Sequence, residues 1–262
     1  MPPVARNARV SSRGAARVIR NASYVTRRKR LAKWSALFGL ALLGATFWLA
    51  LNPQRILLSY VTLLGGTVLF HYGMQQTAKW NAHNDANIDT VLRNLGERYT
   101  LIHYVEIGKR TIEHLLVHPG GALILTAREV PGTIVYRNNR WRKEKAGIGR
   151  LFGMGGPQLG DPARETQANV GALSDYLANA QLEMDVDGAI VFLNPHVKLE
   201  VEEPDFPVMN TAGLSGYVRG LPEDESLRVA DRQALVGLLE GAEHAEQTKP
   251  TPRRRPVRRR AA

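Results

Sequence analysis

The chain has 262 residues, no cysteine, and 35 Lys or Arg against 24 Asp or Glu, a formal charge of +11. Lack of cysteine excludes disulfides, iron–sulfur clusters and cysteine-ligated zinc, and suits a reducing compartment. The positive charge sits at the ends. Residues 1–33 hold ten Lys or Arg and no acid, Lys249 and six arginines close the chain, and residues 34–248 are net acidic at −6. Total charge therefore speaks for the tails and not for a basic folded domain.

The first element is the basic arm, residues 1–33. Its arginine-rich, acid-free composition is shared by organellar transit peptides, but a cytoplasmic arm is the simpler expectation, and no cleavable secretory signal is evident. Trp34 to Leu51 and Ile56 to Met74 contain no Asp, Glu, Lys or Arg over 18 and 19 positions, close to the roughly 20 residues that cross a hydrocarbon core about 30 Å thick. Both are expected to be transmembrane helices, joined as a hairpin by Asn52-Pro53-Gln54-Arg55. Trp34, Trp48, Tyr60, Tyr72 and Trp80 lie near the ends, where amphipathic rings favour the interface. The connecting turn carries one Arg, so the positive-inside rule puts both termini and the soluble part in the cytoplasm.

Residues 75–84 read as a linker and 85–240 as the soluble domain. Ile88, Val91, Leu92 and Leu95 have helical spacing, and Thr100 to Ile107 alternates as a strand. Thr111 to Val117 and Ala122 to Ala127 flank a His118-Pro119-Gly120-Gly121 turn, the pattern of a β-hairpin. A short strand, Thr133 to Tyr136, and an Asn138-Asn139 turn follow. Next comes Trp141, a lid for the sheet or, beside Arg140 and Arg142, a ring able to stack a base. The glycine-rich segment 147–160 is expected to be a mobile loop whose Ile148, Leu151, Phe152 and Met154 graze the membrane surface. It lacks the Gly-Lys-Ser/Thr ending of a phosphate-binding loop. Asp161 and Pro162 suit the N-cap and first position of a helix striped by Val170, Leu173, Tyr176 and Leu177.

Gly188 to Leu193 is a continuous apolar run and so a buried strand. Val197 to Val201 with Val208 is expected to add an edge strand, and Thr211 to Arg219 and Glu225 to Leu239 to close the domain as helices. Residues 241–262 form a basic tail expected to be disordered. Its Arg253, Arg254, Arg255, Arg258, Arg259 and Arg260 would bind anionic headgroups at about 1 kcal/mol per charge, or DNA or RNA phosphates. No aromatic ring interrupts the runs to stack bases. This mixture of elements indicates an α/β (α+β) sandwich on a small mixed sheet, preceded by two transmembrane helices.

The chemistry-bearing residues lie on the central hairpin. Glu113 interrupts its first strand, and Thr126 and Arg128, two apart, share a face at the end of the second. A carboxylate facing a two-spaced pair is the layout of a metal-dependent nuclease site. His103, His114, His118 and His196 sit on separate strands and turns without ligand spacing, which favours structural or surface roles. No Ser-His-Asp arrangement is legible.

From Asp85 to Leu193 the order of landmarks resembles the nuclease-related domain, NERD, similar in fold to restriction-endonuclease-like PD-(D/E)xK nucleases. The landmarks are TIEHLLVHPGGALILTAREVPG, then PARETQANVGAL, then GAIVFL. The resemblance places Glu113 where the family has its metal-binding Asp, Thr126 where it has Glu and Arg128 where it has Lys, while His114, Gly132 and Gln167 match. It implies carboxylates holding Mg²⁺, which activates a water and stabilises charge on phosphate. Here Glu113 adds a methylene, Thr126 removes a charge, and Arg128 keeps a cation that cannot act as a base. Asp85, Asp89 and Glu106 are the nearest candidate carboxylates to substitute, while Glu129 should face away. The expectation is a membrane-tethered module that binds or scaffolds without catalysis and needs no cofactor. The alternatives are a divergent Mg²⁺-dependent phosphodiesterase acting on DNA or RNA, and a module that docks an unidentified protein partner.

Overall fold

A computed structural model describes residues 14–81, 84–144 and 159–247. The first 13 residues, most of the glycine-rich segment and the arginine tail, including Arg253 to Arg260, lie outside the described residues.

The chain opens with strand β1 (Arg17–Arg20) and the long helix α1 (Ala22–Ala50), then turns through a short 3-10 segment, Pro53–Arg55, into α2 (Ile56–Asn81) and α3 (Asn84–Leu92). Strands β2 (Thr100–Ile107), β3 (Arg110–His118) and β4 (Gly121–Arg128) form a meander, and β5 (Thr133–Arg137) with β6 (Arg140–Lys143) a second hairpin. Helix α4 (Pro162–Asn179) leads to β7 (Val186–Phe192), β8 (Lys198–Val201) and β9 (Val208–Asn210). Helices α5 (Thr211–Arg219) and α6 (Val229–Gln247) follow.

The main sheet has the order β1-β2-β3-β4-β7-β9, with β2, β3 and β4 antiparallel and the pairs β1–β2, β4–β7 and β7–β9 parallel. The mixed sheet and the layered helices are the fold class expected. β4 and β7 are central, and their unbroken apolar runs bury both faces. On one face, Leu173 and Leu177 of α4 and Leu235, Val236 and Leu239 of α6 pack on Ile102, Leu115, Val117 and Ile124. On the other, Ile88 and Leu92 of α3 and Leu214 and Val218 of α5 pack on Leu101, Leu116, Leu123 and Leu125. α4 approaches β7 closely: a Cβ on Gly188 would stand 2.3 Å from Thr166 Cγ2. A smaller sheet, β6-β5-β8, covers a third cluster around Val130, Ile134 and Phe192, onto which Trp141 packs with its ring 4.7 Å from Tyr136 and 6.0 Å from Phe192.

Several boundaries differ from the sequence reading. The arm 1–33 contains β1, paired in parallel with β2, and α1 starts at Ala22 behind an Asn21 cap whose side chain accepts from the Tyr24 N–H at 2.8 Å. Basic residues do not end a helix whose exposed face they occupy, so the uncharged windows mark only part of α1. The linker 75–84 is helical up to Asn81. The anticipated edge strand divides: β8 joins the small sheet beside β5, and β9 extends the main sheet beside β7. α6 continues through Gln247 into the expected disordered tail.

Both N-terminal helices are long and apolar enough to cross a membrane, over Ala22–Ala50 and Pro53–Thr77, and little of either span is buried. Among the described residues, every exposed large hydrophobic side chain except Val229 lies on α1, α2 or their turn. The two helices touch through small residues: a Cβ on Gly39 would meet Phe70 N at 2.4 Å, and one on Gly73 would meet Ala36 N at 2.4 Å. Such close approach is how apolar helices associate without a hydrophobic drive. Thr46 and Thr62 hydroxyls meet across the pair at 3.0 Å. Because the chain has no cysteine, Thr46→Cys with Thr62→Cys is expected to form one intramolecular disulfide under mild oxidation. Adding Gly39→Ile or Gly73→Ile is expected to reduce that cross-link several-fold, read by gel mobility and mass spectrometry.

Candidate functional site

The β2–β3 hairpin closes through a two-residue turn, Gly108-Lys109, with Gly108 at φ +58, the kind of position glycine supplies in tight hairpins. That turn pairs Ile107 with Arg110 and, counting back, His103 with His114. Between those pairs Tyr104 has φ +61, rare for a non-glycine residue. The alternation of faces breaks there. Ile102 and Val105, three apart, face the same core, as do Ile112 and Leu115. Tyr104 and Glu113 occupy the break.

His103 and His114 are buried on the α3 side of this kink, with their Nδ1 atoms 2.7 Å apart and their rings nearly perpendicular. His103 Nε2 is 2.8 Å from Asp89 Oδ1, and Tyr104 donates its hydroxyl to Asp85 at 2.8 Å. Both aspartates stand on α3, one turn apart. Burial holds His103 down to about 4, with Arg20 acting in the same sense and Asp85 opposing. His114 is likewise held to about 4, by burial first and then by His103. Burial and the Asp85 carboxylate raise Tyr104. Neutral imidazoles account for the geometry: His103 donates from Nε2 to Asp89, leaving its Nδ1 to accept from the Nδ1–H of His114.

The segment leading into α1 closes over this cluster. Arg20 pairs with Asp89, the Asn21 N–H donates to the His103 carbonyl at 3.2 Å, Tyr24 stacks on Tyr104 at 5.9 Å, and Arg27 pairs with Glu106 at 2.9 Å. Of the substitute carboxylates, Asp85 and Asp89 join the cluster, whereas Glu106 is engaged by Arg27 and Asn21. Glu129 is exposed.

The family-equivalent residues have different partners. Glu113 lies beside the cluster, where its charge acts on Tyr104 and His114. The β3–β4 ladder ends at Leu115 and Ile124, short of the Glu113–Thr126 level. Thr126 and Arg128 lie toward α4. Thr126 is 4 % exposed, and Thr166 Oγ1 donates to its hydroxyl at 2.6 Å. Arg128 donates to the Leu159 carbonyl at 3.1 Å and the Ala127 carbonyl at 2.9 Å, and pairs with Glu165 in the first turn of α4. Gln167 is exposed.

Mg²⁺ prefers a near-octahedral shell of oxygens. Thr126 supplies no carboxylate, and Arg128 is committed to α4, so these residues do not fit the ion that the resemblance implies. What the fold does gather is a different donor set. Asp85, His103 and His114 each present a ligand atom within 4.8 Å of the others. Reading His103 and His114 as separate structural or surface side chains missed this. The Gly108-Lys109 turn was the available signal, because it fixes the register that sets the two histidines opposite each other.

Arg128 acts as a clasp for the start of α4. Arg128→Ala is expected to speed amide exchange across the first two turns of α4 at least about tenfold, since a hydrogen bond to a charged group contributes about 1.5–3 kcal/mol. Arg128→Lys should give a smaller effect, and Glu113→Ala none in α4, read by hydrogen–deuterium exchange mass spectrometry.

Comparison with curated proteins and with solved structures found no match. A match does come from the family models: residues 80–193, from the end of α2 through β7 and including the whole histidine–aspartate cluster, match the nuclease-related domain, NERD.

Proposed function

We propose that this protein is a membrane-anchored nuclease-related-domain protein whose fold has lost metal-dependent cutting and acts as a binding or scaffolding module at the cytoplasmic face. The observation that carries this reading is the fate of Thr126 and Arg128. A nuclease of this kind needs a carboxylate and a free cation there, and this chain has a buried hydroxyl bonded to Thr166 and a guanidinium bonded to Glu165. The exposed apolar surface of α1 and α2 supports anchoring. The ten basic residues before the hairpin support cytoplasmic termini, and the arginine tail suits anionic lipid.

A binding role draws support from the small sheet. Arg137, Arg140, Arg142 and Lys143, with Glu144, line an open depression of about 880 Å³, a largely cationic surface suited to phosphate groups of DNA or RNA. Arg137 is partly neutralised there by Glu202 at 2.8 Å.

One observation favours a second reading, a divergent phosphodiesterase. The charges of Asp85 and Glu113 both act on Tyr104 and His114. The test uses the full chain in lipid nanodiscs, because a fragment starting after α2 would lose the edge strand β1. Supercoiled, linear and single-stranded DNA and RNA are incubated with Mg²⁺ or Mn²⁺ beside Glu113→Ala and Asp85→Asn controls. No cleavage is expected, and Glu113→Ala should leave nucleic-acid affinity within about twofold. Arg140→Ala with Arg142→Ala should weaken binding uniformly across sequences and lower the salt slope by about one for each phosphate left without its cation. Metal-dependent cleavage that disappears in either acidic variant would establish the second reading instead.

A further inference from the structure

We propose that Asp85, His103 and His114 form a binding site for one divalent transition-metal ion, zinc foremost, which staples α3 to the β2–β3 hairpin where the membrane helices enter the domain. The proposal goes beyond the binding-module reading and does not depend on whether the module binds nucleic acid.

The donor set is two imidazole nitrogens and a carboxylate oxygen within 4.8 Å of one another. Imidazole suits zinc, iron, nickel and copper, whereas an ion of the magnesium type would want more oxygens. Two histidines and an acidic residue are a recognised zinc set, with a fourth position for water or another donor. Glu113, adjacent in sequence to His114, is one candidate for that position.

The surroundings match what a metal-bound histidine requires. A ligating histidine normally gives its other ring N–H to a carboxylate, which fixes the tautomer and makes the ligand more basic. His103 has that arrangement: Nδ1 faces His114 while Nε2 is 2.8 Å from Asp89, itself paired with Arg20. Tyr104 orients Asp85 by a 2.8 Å hydrogen bond, and a carboxylate offers about four lone-pair sites, so acceptor capacity remains.

Without an ion, the space between the two Nδ1 atoms is bridged by a proton. Metal–nitrogen bonds of about 2.0–2.1 Å at tetrahedral angles would place the two nitrogens roughly 3.3 Å apart. The rings would then part by about 0.6 Å from the observed 2.7 Å. Binding balances as one ion in and the Nδ1 proton of His114 out to solvent.

Position gives the site its consequence. Asp85 and Asp89 follow α2 directly, and Arg20, which holds Asp89, directly precedes α1. An ion here would fix the hairpin kink, α3 and the root of both apolar helices in one rigid junction.

The test is metal content and affinity of the full chain, purified in detergent with a histidine-free tag. After stripping, zinc is titrated against a chromophoric chelator, and cobalt(II) is added in parallel to read the visible absorption of a nitrogen-ligated ion. About one equivalent is expected. His114→Gln and Asp85→Asn should weaken zinc more than a hundredfold and abolish the cobalt band. Asp89→Asn should weaken it about 10–100-fold, and His118→Gln and His196→Gln should leave it unchanged. His114 is buried, so circular dichroism checks each variant's fold, and half-buried Asp85 carries the test if His114→Gln does not fold. Absence of any bound ion, or affinity unchanged in folded Asp85→Asn, would overturn the site. The readout is binding alone, so it stands or falls separately from the cleavage assay.

Discussion

A two-residue turn, Gly108-Lys109, governs the site from four residue pairs away. Strand pairing permits no fractional register, so once Ile107 meets Arg110, His103 has to meet His114. A one-residue slip would send both imidazoles to the opposite face, into the aliphatic packing of α4 and α6. The left-handed backbone at Tyr104 then does what the turn alone does not. It breaks the alternation, keeps Ile102 and Val105 in one core, and lets Tyr104 bond to Asp85 on α3. A tyrosine in that conformation is costly by about 1–3 kcal/mol. Its stacking on Tyr24 and its bond to Asp85 help to offset the cost.

The sheet therefore separates two polar systems that a linear motif would merge. On the α3 side lie the buried imidazoles and two aspartates; on the α4 side lie Thr126, Thr166, Arg128 and Glu165. The second group binds helix to sheet, and each of its hydrogen bonds satisfies a polar atom that burial would otherwise leave unpaired. A carboxylate at position 126 would meet Thr166 in a dry space with no partner cation to spare.

Much of the fold was legible because its signals are local. The Asn138-Asn139 turn, with φ of +50 and +56, the Asp161–Pro162 helix start and the apolar run of β7 each declare themselves within a few residues. Helix α5 falls where its sequence pattern placed it. What escaped depends on distant partners. β1 is four residues long and reads as part of a basic arm until β2 supplies its ladder. β8 and β9 look alike in sequence, and only tertiary pairing sends them to different sheets. The site was half visible: the shared face of Thr126 and Arg128 followed from strand alternation, but no periodicity announces the break at Tyr104.

β1 also imposes a condition on how the molecule is made. It is the first described element to be synthesised, yet its partner β2 comes some eighty residues later, after both apolar helices. Without β1, β2's outer edge would present a row of unsatisfied backbone groups, the kind of surface on which chains aggregate. Closing that edge requires the residues before α1 to be on the same side as the residues after α2. If the two helices cross a membrane, strand pairing would work as a parity check on insertion: an even number of crossings completes the sheet, and an odd number leaves it open.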